Sequence, residues 1–225
     1  MTSRFRTIAL VFGIIIAAVA DWVARVRRHP AACPFGQRFF LDLPRPFLSR
    51  GRLHDVLRPA AGERLLEIGP GTGYYTLDIA RQLAPDGQLD ILDLQQAMLD
   101  ETMRRADLAG IANIAPSQGT AEALPYPDAT FDGAFLVATL GEVPDHCAAL
   151  RELQRVLKPG GHLVVGEGQP DPHMVRLPQL RALTTDAGLL LREHRGSALG
   201  FLARFEKMGA AAGVGEMAGP AAREP

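Results

Sequence analysis

Leu65-Leu66-Glu67-Ile68-Gly69-Pro70-Gly71-Thr72-Gly73-Tyr74-Tyr75-Thr76 is an apolar strand that ends on an acid and breaks into three alternate glycines before a helical pattern begins. Gly69, Gly71 and Gly73 remove Cβ bulk and free the backbone, so the chain can turn sharply and let a ligand lie against its amides. The run reads as a nucleotide-cofactor loop. Its spacing excludes two common versions of such a loop. The dinucleotide fingerprint G-x-G-x-x-G wants its third glycine where Tyr74 stands, which disfavours a nicotinamide oxidoreductase. A phosphate-binding P-loop requires a Gly-Lys-Ser/Thr that does not follow.

Outward from this loop, strand-like runs alternate with helix-length segments, the pattern of a parallel α/β sheet. Strands are expected near Arg64–Ile68, Gln88–Leu92, Ile114–Gln118, Gly133–Val137 and His162–Glu167. Helices fit Tyr75–Leu83, Ala97–Ala109 and Cys147–Val156, the last stopped by Lys158-Pro159-Gly160-Gly161. Leu189–His194 and Leu199–Phe205 are placed to close the domain as a hairpin. The chain then divides into residues 1–28, a connector over 29–60, a domain over 61–208 and a tail over 209–225 whose Gly, Ala and Pro content predicts disorder.

The 225 residues suffice for one well-buried domain and an appendage, and 47% hydrophobic with 22% charged residues is a globular balance. A net charge of −1 conceals an asymmetry: residues 1–64 hold eleven arginines against four acids, and the remainder holds thirteen Lys/Arg against twenty-one acids. A basic end of this kind suits nucleic acid or an anionic membrane surface. The apolar run Ile8–Ala20 decides for the membrane and against nucleic acid. Arginines at 4 and 6 precede it and Trp22, Arg25, Arg27 and Arg28 follow; carried on past Asp21 to Ala24 it reaches spanning length. Trp22 at the edge fits an aromatic belt, and the denser charge behind the run favours keeping the following domain in the cytoplasm. Ala18-Val19-Ala20 also matches a signal-peptidase site, and a helix packed on the domain is a third reading. The single-pass anchor is the expectation adopted. Cys33 and Cys147 have neither zinc-ligand spacing nor a disulfide framework, so no metal site is expected. The connector carries Phe35, Phe39, Phe40 and Phe47 between prolines. These rings either dock it on the domain or form a lid that excludes water.

The order of motifs from Arg64 to Phe205 resembles the class I S-adenosylmethionine-dependent methyltransferases of the ubiquinone/menaquinone-biosynthesis type. The E-x-G-x-G-x-G loop is one element of that resemblance. Leu89-Asp90-Ile91-Leu92-Asp93-Leu94-Gln95-Gln96-Ala97-Met98-Leu99 is similar to the second-strand acid and the helix start behind it. Gly119-Thr120-Ala121-Glu122-Ala123-Leu124-Pro125-Tyr126-Pro127-Asp128 resembles the stretch that lines the adenine, and Leu157-Lys158-Pro159-Gly160-Gly161 the structural turn before the fifth strand. The resemblance implies a Rossmann-like fold, a mostly parallel seven-stranded sheet with an antiparallel terminal hairpin, here preceded by a hydrophobic N-terminal helix. It implies S-adenosylmethionine as cofactor, held by Glu67, Gly69, Gly71, Gly73, Asp93, Leu94, Thr120, Ala121, Glu122 and Val137. Asp93 takes the ribose hydroxyls, and Val137 to Glu142 border the cofactor's methionine half and the acceptor. Thr120 stands where the family usually has Asp, which moves the contact to the adenine amino group onto its hydroxyl or onto Glu122.

The implied reaction is in-line methyl transfer, in which alignment supplies on the order of 7–11 kcal/mol. A base is needed only if the acceptor must lose a proton, and the candidates are Glu142, His146 and His173. His146 lies in a helix-start pattern and His173 behind the fifth strand. Tyr74 and Tyr75 either face the sulfonium or pack the first helix of the domain. The expected acceptor is a small, lipophilic molecule at the membrane; the alternative is a non-catalytic cofactor-binding or scaffold protein of the same fold. Neither a G-x-S-x-G elbow nor H-E-x-x-H is present. The oligomeric state does not follow from the sequence.

Overall fold

In the computed structural model, residues 32–208 are described, together with Gly13, residues 16–18 and Asp21. Seven strands form one sheet: β1 (Arg64–Ile68), β2 (Gln88–Asp93), β3 (Ile114–Gln118), β4 (Phe131–Val137), β5 (Leu157–Gly168), β6 (Leu189–Ser197) and β7 (Gly200–Lys207). Their order is β3-β2-β1-β4-β5-β7-β6. The first five pair in parallel, while β7 lies antiparallel to both β5 and β6. The expected terminal hairpin is therefore inserted with its second strand inward, at register Gly168↔Gly200 to His162↔Glu206.

Alternation along the strands sends side chains to two layers. Leu65, Leu89, Ile91, Phe135 and Val164 pack with helices α1 (Arg50–Leu57), α2 (Thr76–Leu83) and α3 (Gln96–Leu108). On the opposite face Leu66, Leu136, Leu163 and Val165 pack with α4 (His146–Val156) and α5 (Leu177–Asp186). Central strands covered on both faces read as the near-continuous apolar runs that the sequence displays. Asp145 caps α4 by accepting from the Ala148 amide at 2.9 Å, which starts that helix one residue before the expected Cys147. The expected stop at Lys158–Gly161 is an irregularity within β5: Leu157 pairs with Phe131 and His162 with Gly133.

Two helices were not anticipated. α5 lies behind the fifth strand. α1 lies inside the stretch read as connector, where it buries Leu53, Val56 and Leu57 in the core. Its last carbonyls are capped from far along the chain: Arg204 on β7 donates to Val56 O at 3.0 Å and to Leu57 O at 2.6 Å. Upstream, Phe35–Asp42 forms a 3₁₀ segment with no buried residue. Gly13, residues 16–18 and Asp21 are helical; the rest of the anchor expected over residues 1–28, and the expected tail after Met208, lie outside the described residues. Among the described residues no helix is long and apolar enough to cross a membrane.

Candidate active site

The carboxyl ends of β1, β2 and β4, beside the point where the strand order reverses, open into a cleft with a cavity volume of about 210 Å³. Its floor is the glycine loop. Gly69 takes φ +69°, and a Cβ there would stand 2.6 Å from both Cγ2 and Oγ1 of Thr139. Conformation and contact thus both require glycine at that position. The loop is tied down by its main chain: the Gly69 amide donates to Leu92 O at 2.8 Å, the Gly73 amide to Pro70 O at 3.0 Å, and the Thr102 hydroxyl to Gly71 O at 2.9 Å.

Of the residues expected to hold a cofactor, Gly69, Gly71, Asp93, Leu94, Thr120, Ala121, Glu122 and Val137 line this cleft, and so does Glu142. Asp93, only 7% exposed, ends β2, and its Oδ1 accepts from the Gln95 amide at 2.8 Å. Burial raises its pKa while the amides of Gln95, Gly71 and Leu94 work against that rise. Leu94 and the run Gly119–Glu122 supply the neighbouring wall, brought together because the Gly119 amide donates to Asp93 O at 3.1 Å.

Four expected residues do not line the cleft: Glu67, Gly73, His146 and His173. Glu67 is buried under the loop, where the Thr76 hydroxyl donates to its Oε2 at 2.6 Å; desolvation pushes its carboxyl up to about 8. Facing α2 rather than the ligand space, it joins β1 to the helix after the loop. His146 is the first residue of α4, and burial lowers its pKa. The His173 amide donates to Asp171 Oδ1 at 2.8 Å, and its carbonyl would lie 2.2 Å from a Cβ at Gly141. It therefore backs the loop carrying Glu142 instead of entering the cleft. Glu142, by contrast, has its carboxyl raised to about 7, first by burial and then by the nearby charge of Asp171. A carboxylate poised near neutrality inside a cleft is suited to exchanging a proton.

Several lining residues escaped the sequence reading. Met98 lines it, while Ala138 and Thr139, which also line it, fall inside the expected Val137–Glu142 border; Ala138 sits in the left-handed region with φ +53°. Cys33, Leu41 and Arg45 come from the N-terminal side. Burial raises the pKa of the Cys33 thiol. These three belong to a strap that crosses the cleft. At one end Gln95 bonds to the Phe35 amide at 3.1 Å and to Cys33 O at 2.9 Å. At the other, Asp42 accepts from the Thr72 hydroxyl at 2.8 Å and bidentately from Arg105 at 2.8 Å. Between them Leu41 Cδ1 lies 2.9 Å from where a Cβ on Gly71 would be. Tyr74 and Tyr75 meet edge to face at 4.8 Å and line the cleft; the Tyr75 hydroxyl donates to Leu48 O at 2.6 Å, fastening the end of the strap.

A floor of backbone amides, one buried acid and mostly apolar walls fits a nucleoside bearing an uncharged or cationic extension better than a phosphate chain. Comparison with known proteins agrees with that geometry. The solved structure of a SAM-dependent methyltransferase from Aquifex aeolicus superposes with a TM-score of 0.71 at 20% identity, covering 78% of this chain and 99% of that one. The [4+2]-cyclase SpnF shares the fold with a TM-score of 0.65 at 22% identity, over 71% of this chain and 80% of its own. In sequence, the ubiquinone/menaquinone biosynthesis C-methyltransferase UbiE of Cellvibrio japonicus is 43% identical over 107 residues, 47% of this chain and 43% of that protein. A demethylmenaquinone methyltransferase of Listeria welshimeri is 33% identical over 117 residues, 52% of this chain and 50% of that one. The match thus spans about half the length of these curated relatives or less. A family model covers more of the chain: residues 47–178, from the end of the strap through β5 to the start of α5, match it, and the chain belongs to the ubiE/COQ5 methyltransferase family.

Proposed function

We propose that this chain is an S-adenosylmethionine-dependent methyltransferase acting on a small, lipophilic, quinone-type acceptor. The observation that carries the reading is the cleft itself, where Asp93 and the positive-φ glycine loop line one wall and Glu142 another. Family membership and the names of the quinone-biosynthesis relatives support the acceptor class. The cofactor, when bound, supplies an activated methyl group on a sulfonium sulfur. Asp93 accepts its ribose hydroxyls, Leu94 and Gly119–Glu122 flank its base, and Thr120 or Glu122 meets the adenine amino group. Glu142 takes up the proton the acceptor loses as its carbon or oxygen gains the methyl, and returns that proton to solvent. The strap and the tyrosines keep water from the reacting centre, where alignment does most of the work.

The apolar run over residues 8–20 and its arginine flanks support a membrane tether that leaves the domain in the cytoplasm. A second reading, a cofactor-binding protein without turnover, is favoured by Thr120, which stands where the family resemblance leads one to expect Asp.

Titration calorimetry with S-adenosylmethionine, S-adenosylhomocysteine and NAD tests the cofactor. Micromolar binding of the first two without the third is expected, and binding of NAD alone would overturn the reading. Mass spectrometry of reduced quinol and phenol acceptors then separates the two readings, since only an enzyme adds a methyl group. Removing residues 1–28 should release the chain from membranes with cofactor binding intact, and continued membrane association would exclude that run as the tether.

A further inference from the structure

The strap has two faces. Leu41 and Asp42 turn inward, onto Gly71 and onto Thr72 with Arg105. Phe39, Phe40 and Leu43 turn outward and are 60%, 53% and 53% exposed; the two rings lie 4.1 Å apart between centroids. Leu94, 56% exposed, lines the cleft beside Gln95, which holds the start of the strap. Three large apolar side chains exposed within five residues, on the segment whose Leu41 lines the cleft, are unusual on a protein surface. The segment is basic in sequence, although Arg50 and Arg58 further along are paired with Asp78 and Glu193. Residues 32–58 hold five arginines against two acids, and the strap's own acid, Asp42, is occupied by Arg105. Arg38 remains on the exposed surface, its guanidinium 4.4 Å from the Phe35 ring.

We infer that the outer face of residues 35–43 docks into the headgroup region of an anionic phospholipid bilayer once the apolar run over residues 8–20 has brought the chain there. A short amphipathic segment with Phe and Leu on one side and Arg beside them is suited to lying in that interface. Juxtamembrane arginines gain from anionic headgroups and keep their charge in water while their stems lie along apolar surface. Arg25, Arg27 and Arg28 precede the strap by about ten residues in sequence, so a chain held at a bilayer presents the strap to that same surface. The inference leans on the proposed tether for this proximity. In this pose Leu94 faces the acyl boundary, the side from which a lipophilic acceptor arrives.

The chain has one tryptophan, which permits a direct test with the full-length protein and neither cofactor nor acceptor. In a Trp22→Phe background, Phe39→Trp reports the strap, and flotation reports attachment to vesicles. With vesicles of phosphatidylcholine and phosphatidylglycerol, the indole emission should shift to the blue and fall about 2-fold when the acyl chains are brominated. Phosphatidylcholine alone should give a weaker response, and Arg38→Glu or Phe40→Asp on the same background should diminish it. If the chain floats with vesicles while the indole stays unshifted, the apolar run holds it alone and the inference falls. Failure to float overturns it equally. A blue shift without lipid would assign the face to a second copy if it rises with protein concentration, or to the chain's own apolar run if it does not. Failure of methyl transfer leaves each of these readouts unchanged.

Discussion

The floor of the cleft and the strap across it are held by different physics. On the floor, β1, β2 and β4 end in buried backbone, Gly69 is tied to Leu92 O and packed against Thr139, and Glu67 is sealed beneath. No atom there moves without breaking the sheet. The strap has no buried residue in its 3₁₀ segment and is fastened through side chains: Gln95 at one end, Asp42 with Arg105 and Thr72 at the other. Exposed ion pairs are worth little individually. The floor is therefore fixed by main-chain bonds and buried packing, and the strap by a few side-chain contacts.

The largest effect is expected at Gly69→Val. Left-handed strain of about 1–3 kcal/mol and a clash with Thr139 of similar size combine to about 2–6 kcal/mol of lost stability, read by urea unfolding, with cofactor binding abolished. A stable variant that still bound S-adenosylhomocysteine would break the claim that the floor tolerates no displacement.

Asp93→Ala removes the ribose contacts and should weaken S-adenosylhomocysteine by roughly 2–4 kcal/mol in calorimetry. An unchanged affinity would sink the ribose assignment.

The buried carboxyls make the floor pH-sensitive. Glu67 and Glu142 are raised from their ordinary 4.5 to about 8 and about 7. The folded state holds their protons more tightly than the unfolded chain, so their contribution to stability is full below pH 4.5 and is lost as pH rises through those values. His162, lowered from 6.5 to about 4, acts at the other end, losing its contribution as pH falls through that interval. Melting temperatures across the range should show a decline towards alkaline pH, and Glu67→Gln should flatten it. An alkaline limb unchanged in that variant would mean that Glu67 titrates normally.

Asp42→Ala is expected to do least to the fold, about 1 kcal/mol or less, because it frees one end of a surface strap. Its effect belongs in kinetics: faster release of S-adenosylhomocysteine in stopped flow at nearly unchanged melting temperature. Equal losses in both measurements would mean that strap and floor fold as one unit.

Most of the floor was legible because its signals are local. Apolar runs bounded by turn residues mark β1 to β5, Gly69 and Gly71 mark the loop, and the Asp93 carboxylate follows from its position at the end of β2. Glu67 was legible as a strand-end acid but not in its direction, since the face it occupies depends on where α2 packs. Glu142 is the first choice of base in sequence because it follows the end of β4, and His146 reads as a helix start; the packing around Gly141 and Asp145 places Glu142 alone of the three candidates in the cleft. α1 was hidden because its Arg-Gly-Arg-Leu-His-Asp-Val-Leu is largely polar and its closing partner, Arg204, lies 147 residues beyond Leu57.

By itself, the sequence determined the alternating α/β order, the glycine loop and an acid at the end of β2, because strand periodicity, glycine freedom and a strand-end carboxylate are properties of neighbouring residues. Only the tertiary structure decided that the connector becomes a strap with aromatic rings outward and that β7 sits inside β6. It also decided which carboxylates face the ligand space. These depend on contacts between residues such as Asp42 and Arg105, 63 positions apart, and no local pattern encodes which distant partner closes a given side chain.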